Sequence, residues 1–337
     1  MSIHADQNIL FYSLADGALY RQLIGFNDEI IDTALLCSGE SSEHVALATN
    51  SSLIRIYSTE SFDARLLAGH RDIVLSLAAN SSGRMLASGA KDNSALLWAP
   101  QDTEPGWGCV ATCEGHAESI GAVVFERDDV SRYLFTGSQD RTIKVWDLKG
   151  VPAEGHASVP VRCKSVSTTR AHEKDINALD SSPGGTLLVS GSQDKTAKIW
   201  AVDRSSGALK PLGTCKGHKR GVWSVRFARG TRILATGSGD RTVRLWRLDD
   251  FSCLKVFEGH ANSVLRVDWL GGEKDVQGQV VSASADGLIK VWDSRTEECV
   301  ATLDGHEDKV GHHDQPLRYL LTQALRQTGL GSGSESR

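Results

Sequence analysis

Histidine, a serine or threonine, and aspartate recur along this 337-residue chain at spacings regular enough to be read as sites. Five sets stand out: His70, Ser88 and Asp92; His116, Thr136 and Asp140; His172, Ser190 and Asp194; His218, Thr236 and Asp240; and His260, Ser282 and Asp286. These are the ingredients of nucleophilic catalysis, in which a hydroxyl attacks, an imidazole takes its proton and a carboxylate orients the imidazole. A further concentration, "DGHEDKVGHHDQP" (304–316), holds three histidines and four carboxylates, a donor set that resembles a metal site. An enzyme, however, needs one site with a pocket and an oxyanion hole, and five equivalent triads point to structure instead. No G-x-x-x-x-G-K-[ST], G-x-S-x-G or H-E-x-x-H motif supports nucleotide hydrolysis or the common hydrolase chemistries. The expectation is a non-catalytic chain without cofactor or metal.

The elements that carry these residues repeat. "SGAKDNSALLW" (88–98), "TGSQDRTIKVW" (136–146), "SGSQDKTAKIW" (190–200), "TGSGDRTVRLW" (236–246) and "SASADGLIKVW" (282–292) superimpose without gaps. In each, the Asp follows a Ser or Thr by four residues and precedes a Trp (Trp98, Trp146, Trp200, Trp246, Trp292) by six. Each is preceded by Gly-His or Ala-His, with His leading Trp by 28, 30, 28, 28 and 32 residues. Between them lie alternating runs such as "GVWSVRFA" and second apolar runs such as "TLLVSGS", separated by turn residues. Period-2 alternation rich in Val, Ile and Trp predicts strands, and turns every eight to twelve residues predict an antiparallel meander.

Such a repeat, with a Gly-His start and a Trp end, resembles the WD40 family, whose blades form a β-propeller. The fold class is therefore expected to be all-β, with about six recognisable blades of a seven-bladed ring and the last blade truncated. A weaker unit, "GFNDEIIDTALL" and "VALATNSSLIRIY", precedes the five, with Phe26, Ser51 and Tyr57 at the His, Asp and Trp positions. "DQNILFY" (6–12) repeats the Asp-to-aromatic step, so the chain is expected to begin inside one blade's third strand. The propeller is expected over 1–310 and a non-repeat tail over 311–337, a short helix followed by a flexible end, leaving an open or poorly closed ring. The long stretch after Trp146 is expected to be an outer strand with an inserted loop, and 99–115 a smaller insertion.

Residue by residue, the resemblance implies a structural tetrad in each blade, the Trp indole bonding to the Ser/Thr hydroxyl, the hydroxyl to His and His to Asp. It also implies that the turns beside His and Asp line the rim used for partners. On that rim fall Arg71, Lys174, Lys219 and Arg220 beside the His, and Lys91, Arg141, Lys195 and Arg241 beside the Asp. The plainer reading has these cations solvated or paired with Asp72, Glu118, Glu173 and Asp175, each pair contributing little.

Several stretches between the motifs, among them "RQLIGFNDEIID", "LLAGHRDIVLSL", "AHEKDINAL" and "DDFSCLKVFEGH", resemble the second propeller of a WD40 subunit of the nucleolar small-subunit processome. That resemblance implies a nuclear, nucleolar scaffold supporting pre-rRNA processing and 18S rRNA maturation. Its partners would be other WD40 subunits, with the small nucleolar ribonucleoprotein and pre-rRNA contacted indirectly. The alternative is a WD40 adaptor of another complex, such as a ubiquitin ligase receptor or a signalling scaffold. Thirty-seven Lys and Arg against forty-two Asp and Glu give a net charge of −5, so no global positive field draws the chain to nucleic acid or anionic lipid. Seven scattered cysteines without a C-x-x-C pair speak against a disulfide framework or a zinc site and are expected to be reduced, mostly buried thiols. Neither a signal peptide nor a membrane span is expected, and no small-molecule substrate.

Overall fold

The computed structural model describes residues 29–304, apart from 38–42, 60, 62, 102–105, 129–130, 153–158 and 271–277, and the backbone of three N-terminal strands. Every regular element among the described residues is a strand. Six sheets, each built on an antiparallel meander of four consecutive strands and one of them widened by a fifth strand, follow one another along the chain. Blade 1 comprises Ile30–Cys37, Glu43–Thr49, Ile54–Ser58 and Ala64–Leu67. Blade 2 comprises Val74–Ala79, Leu86–Ala90, Ser94–Pro100 and Trp107–Glu114. Blade 3 is Ile120–Phe125, Tyr133–Ser138, Thr142–Asp147 and Lys164–Arg170, and blade 4 is Ile176–Ser181, Leu187–Ser192, Thr196–Val202 and Leu209–Lys216. Blade 5 is Val222–Phe227, Ile233–Ser238, Thr242–Arg247 and Cys253–Glu258, and blade 6 is Val264–Leu270, Gln279–Ser284, Leu288–Asp293 and Cys299–Asp304. This is the six-blade propeller arrangement anticipated from the repeats.

Burial explains the residue pattern. A blade's second strand is covered on both faces by its neighbours, so "YLFTGS" of blade 3 is buried throughout. Its outer strand faces water, so "KSVSTTR" is partly or wholly exposed. First strands of successive blades pack side by side from blade 1 through blade 6. In blades 2 to 5 a glycine near the end of the second strand (Gly89, Gly137, Gly191, Gly237) lies close against the first strand of the next blade. A Cβ on Gly137 would lie 2.6 Å from Ile176 of the next blade, and one on Gly237 2.8 Å from Val264. No side chain larger than hydrogen fits without moving the neighbouring blade.

Hydrogen bonds from the inner strands tie each seam. Asp32 Oδ2 accepts from Leu77 N at 2.8 Å, Ser76 Oγ from Val123 N at 3.3 Å and Ser224 Oγ from Val267 N at 3.1 Å. The three acceptors occupy the same ladder position in blades 1, 2 and 5, each reaching the next blade's backbone.

Two expectations need correction. The strand marked by the Asp-to-aromatic step is not the first: Ser2–Ile3 pairs antiparallel with Asn8–Tyr12, which pairs with Leu19–Ile24, so a short strand comes before it. Two alternating residues carry too little pattern to be read as a strand from sequence. The stretch after Trp146 is more than an outer strand with a loop. Before entering blade 3's outer strand, the chain crosses to blade 2 and adds Val161–Arg162 as a parallel fifth strand beside Trp107–Glu114. The 99–115 stretch is an extended hairpin, paired out to Pro100 and Trp107. The tail over 311–337, and the repeat start at Gly305-His306, lie outside the described residues.

Candidate functional site

In blades 2 to 6 the third strand carries a Trp preceded by a register shift: Leu97/Trp98, Val145/Trp146, Ile199/Trp200, Leu245/Trp246 and Val291/Trp292. A bulge there re-aims the indole. The Ser or Thr faces it from the second strand, the His comes from the turn entering the blade, and the Asp from the hairpin between second and third strands. All five predicted sets are brought together. In blade 3, Trp146 Nε1 donates to Thr136 Oγ1 at 2.9 Å, His116 Nε2 lies 2.7 Å from that hydroxyl, and His116 Nδ1 lies 2.8 Å from Asp140 Oδ2. The Trp-to-hydroxyl distance is 2.8 Å for Trp98 and Ser88, 2.9 Å for Trp200 and Ser190, 2.8 Å for Trp246 and Thr236, and 2.7 Å for Trp292 and Ser282. Imidazole to carboxylate is 3.0, 2.8, 2.9 and 3.0 Å for His70–Asp92, His172–Asp194, His218–Asp240 and His260–Asp286.

Chemistry fixes the direction of each chain. A carboxylate only accepts, so Nδ1 carries the proton and Nε2 of a neutral ring accepts from the hydroxyl, which in turn accepts from the indole. Burial pushes the His218 and His260 pKa values down, against the pull of Asp240 and Asp286, which favours that neutral ring. Burial on its own would raise the carboxyl groups. Bonds to Asp92 from His70, the Ser94 hydroxyl and the Arg71 N–H outweigh it and hold that carboxyl well below the usual carboxylate range. Asp140, Asp194 and Asp240 are depressed in the same way. Every hydroxyl is fully buried and already engaged on both sides, so none is poised to attack a substrate.

The His and Asp turns of a blade meet through the His–Asp bond, and the eight cations flanking them share that end of the molecule. Arg71, Lys91, Arg141, Lys174, Lys195, Lys219, Arg220 and Arg241 are all exposed and come from blades 2 to 5. Among the described residues none of their side chains makes an ion pair, and Glu173 pairs with Arg170 instead. Arg141, Lys195 and Arg241 also sit at φ of 70°, 74° and 72°, a left-handed conformation that favours Gly or Asn.

One cluster was not anticipated. The inner strands hold Asp32, Asp180 and Asp268 with Arg226 and Arg266, joined by Arg127 at the end of blade 3's first strand. Asp180 Oδ1 accepts from Arg127 at 3.1 Å and Arg226 at 3.3 Å, while its Oδ2 accepts from Phe227 N at 2.8 Å. Arg266 of blade 6 donates to Asp32 of blade 1 at 2.9 Å, linking strands 234 residues apart. Burial lowers the Arg266 pKa more than Asp32 raises it, whereas at Arg226 the flanking Asp268 and Asp180 overcome burial and raise it. The signal available in sequence was a charge inside an alternating apolar run, as in "IIDTALLC" and "VLRVDWL".

Three of the seven cysteines (Cys113, Cys163, Cys215) are buried, whereas Cys37, Cys253 and Cys299 are exposed, which corrects the expectation of mostly buried thiols. The exposed ones fall on strand ends and outer strands, where burial is slight. Among the described residues no group of three or more His, Cys, Asp or Glu is placed to hold a metal ion. The histidines at 306, 312 and 313 lie outside them.

Comparison with known proteins agrees with this architecture. The family described as WD40, "WD domain, G-beta repeat", matches residues 63–99, 107–147, 163–201, 209–247 and 251–293. Transducin beta-like protein 3 of Bos taurus is 41% identical over 207 residues, 60% of this chain and 25% of that protein. U3 small nucleolar RNA-associated protein 13 of Saccharomyces cerevisiae is 38% identical over 179 residues, 49% of this chain and 21% of that protein. Coatomer subunit beta'-2 of Arabidopsis thaliana is 37% identical over 101 residues, 29% of this chain and 10% of that protein. The matched part of this chain thus spans a quarter or less of the length of each of these relatives.

Proposed function

Because the chain belongs to the WD40-repeat family, we propose that it is a non-catalytic scaffold of the nucleolar small-subunit processome, supporting pre-rRNA processing and 18S rRNA maturation by protein–protein assembly. What supports this reading most directly is the likeness to a protein whose name associates it with the U3 small nucleolar RNA. The local geometry is compatible with a scaffold: the five His/Asp sets are consumed in holding turns and strands together. The face left for a partner is the rim, where eight exposed cations stand without ion-pair partners among the described residues. An acidic surface on another WD40 subunit fits that rim. Base reading fits less well, because in sequence no Phe, Tyr or Trp adjoins any of the eight cations and among the described residues only Arg220 shares its surroundings at Gly239 with an aromatic, Trp223. Small nucleolar ribonucleoprotein and pre-rRNA are then contacted through protein neighbours.

The test is to follow the tagged protein in cells and deplete it. Nucleolar accumulation, co-purification with U3 ribonucleoprotein and a loss of 18S precursor processing are expected. Exclusion from nucleoli with normal processing would sink the reading in favour of an adaptor in another complex. Changing Arg141, Lys195 and Arg241 together to Glu separates rim from fold: co-purification should fall while the melting temperature holds. Hydrolytic turnover by the pure chain, abolished by one Asp substitution, would overturn the non-catalytic assignment.

A further inference from the structure

We propose that Cys113 and Cys163 form an oxidisable dithiol that closes to a disulfide, stapling the long connection of blade 3 to the outer strand of blade 2. The parallel register places Ala111 opposite Val161 and Thr112 opposite Arg162, so the next pair along is Cys113 and Cys163. The Cys163 N–H donates to the Thr112 carbonyl at 2.8 Å, which continues the ladder to that point. Directly opposed residues of neighbouring strands project on the same face, with Cα atoms about 5 Å apart, inside the range a disulfide spans. Both side chains are buried in one apolar cluster at this joint, shared with Ala111 and Val110.

The two thiols are unequal. Neighbouring Cys113 holds the Cys163 thiol below its ordinary range, while Cys163, together with burial, holds the Cys113 thiol above it. Cys163 also lies nearer to solvent, between exposed Arg162 and Lys164, whereas Cys113 is fully enclosed. Cys163 is therefore the attacking sulfur and Cys113 the resolving one. With hydrogen peroxide as oxidant, the Cys163 thiolate forms a bond to one peroxide oxygen as the O–O bond breaks. Hydroxide leaves and becomes water with the Cys163 proton. Cys113, losing its proton, then displaces hydroxide from the Cys163 sulfenic acid; the S–S bond forms and a second water departs. Two thiols are oxidised and one peroxide is reduced to two waters.

Cys109, the third thiol near this joint, does not enter the pair. Its Sγ donates to the Ala111 carbonyl at 3.5 Å and burial pushes it up to about 11. Closure would add a covalent link between the crossing segment and blade 2 to the short ladder, the apolar packing of Cys163 and the exposed Arg162–Glu114 ion pair at 2.5 Å.

The experiment treats the folded full chain with limiting hydrogen peroxide, blocks free thiols by alkylation and maps peptides without reduction. A linked peptide joining Cys113 to Cys163, lighter by two hydrogens, is expected, and it should disappear when the chain is unfolded in urea before oxidation. Cys113→Ser should leave a sulfenic acid at Cys163 that a cyclic 1,3-dione traps. Cys163→Ser should leave Cys113 open to alkylation after unfolding. Recovery of both cysteines as free thiols while exposed Cys37, Cys253 and Cys299 oxidise would overturn the proposal. Trapping at Cys113 in the Cys163→Ser protein would overturn the assigned order.

Discussion

Replacing Thr136 with Val removes one hydroxyl and keeps the shape of the side chain, so it isolates what the tetrad contributes to blade 3. That hydroxyl accepts from Trp146 Nε1 at 2.9 Å and serves His116 Nε2 at 2.7 Å, in surroundings where Thr136 and Trp146 are at most 1% exposed. Without it, a buried N–H and a buried imidazole nitrogen both lose their partner. Each orphaned group costs about 1–3 kcal/mol, and dropping the hydroxyl's own desolvation returns roughly 1 kcal/mol. The expected loss is about 1–5 kcal/mol, visible in urea unfolding as an earlier midpoint with an unchanged slope. Thr136→Ser keeps the hydroxyl, as blades 2, 4 and 6 do with Ser88, Ser190 and Ser282. It should cost only the methyl, about 1 kcal/mol. If Val and Ser variants unfold together, or if Val costs less than about 0.5 kcal/mol, the hydroxyl does not hold the blade and the structural account of the five sets fails.

Acid should destabilise the chain in two stages. His218 and His260 have folded pKa values below 6.5, so as pH falls past 6.5 the unfolded chain gains protons that the folded one resists and stability drops. The depressed carboxyls of Asp92, Asp140, Asp194 and Asp240 act in the same direction below 3.8, and a melting temperature that stayed level from pH 7 to 3 would contradict both stages. Arg266→Met should cost about 3–5 kcal/mol by removing the guanidinium that donates to buried Asp32 across the blades. Adding Asp32→Asn should recover at least about 1 kcal/mol of that, and strictly additive losses in the double-mutant cycle would show the two residues to be uncoupled. Arg241→Asn relieves a side chain held at φ 72° and should raise stability by a few tenths to about 1 kcal/mol; a fall in the unfolding midpoint would mean that Arg241 makes a contact worth more than its strain.

The tetrads could be read from sequence because every member lies in one repeat. His116 and Asp140 are 24 residues apart, and the other four pairs 22 or 26. Strand length and turn type fix those offsets, so the same chemistry returns at the same spacing and the repetition itself argues against catalysis. Blade count and strand order followed from the same regularity. The inner-strand charges obey no such rule. Asp180 meets Arg226 46 residues on, and Asp32 meets Arg266 at 234, because these partners are set by how blades are arranged around the axis. A single Asp inside "INALDSS" therefore gives notice of an unusual position without naming its partner.

The crossing strand escaped for a related reason. "VPVRCKS" has two alternating apolar residues, too few to separate a strand from a loop, and its mate Trp107–Glu114 belongs to the preceding repeat. What was legible is what each repeat settles within itself; what was not is what repeats settle between themselves. Partner recognition belongs to the second class as well. The rim cations can be listed from their places beside His and Asp, but their freedom from local pairing is a property of the assembled blades. Glu173, three residues after Arg170, pairs there and leaves its neighbour Lys174 exposed and without an ion pair among the described residues. At that end of the molecule the eight exposed cations stand among the half-buried carboxylates Asp92, Asp140, Asp194 and Asp240 and the neighbouring acids Asp72, Glu118, Glu173 and Asp175, so the rim carries charge of both signs with the cations reaching into solvent. An acidic partner that engages those exposed side chains directly should be captured less well as salt rises.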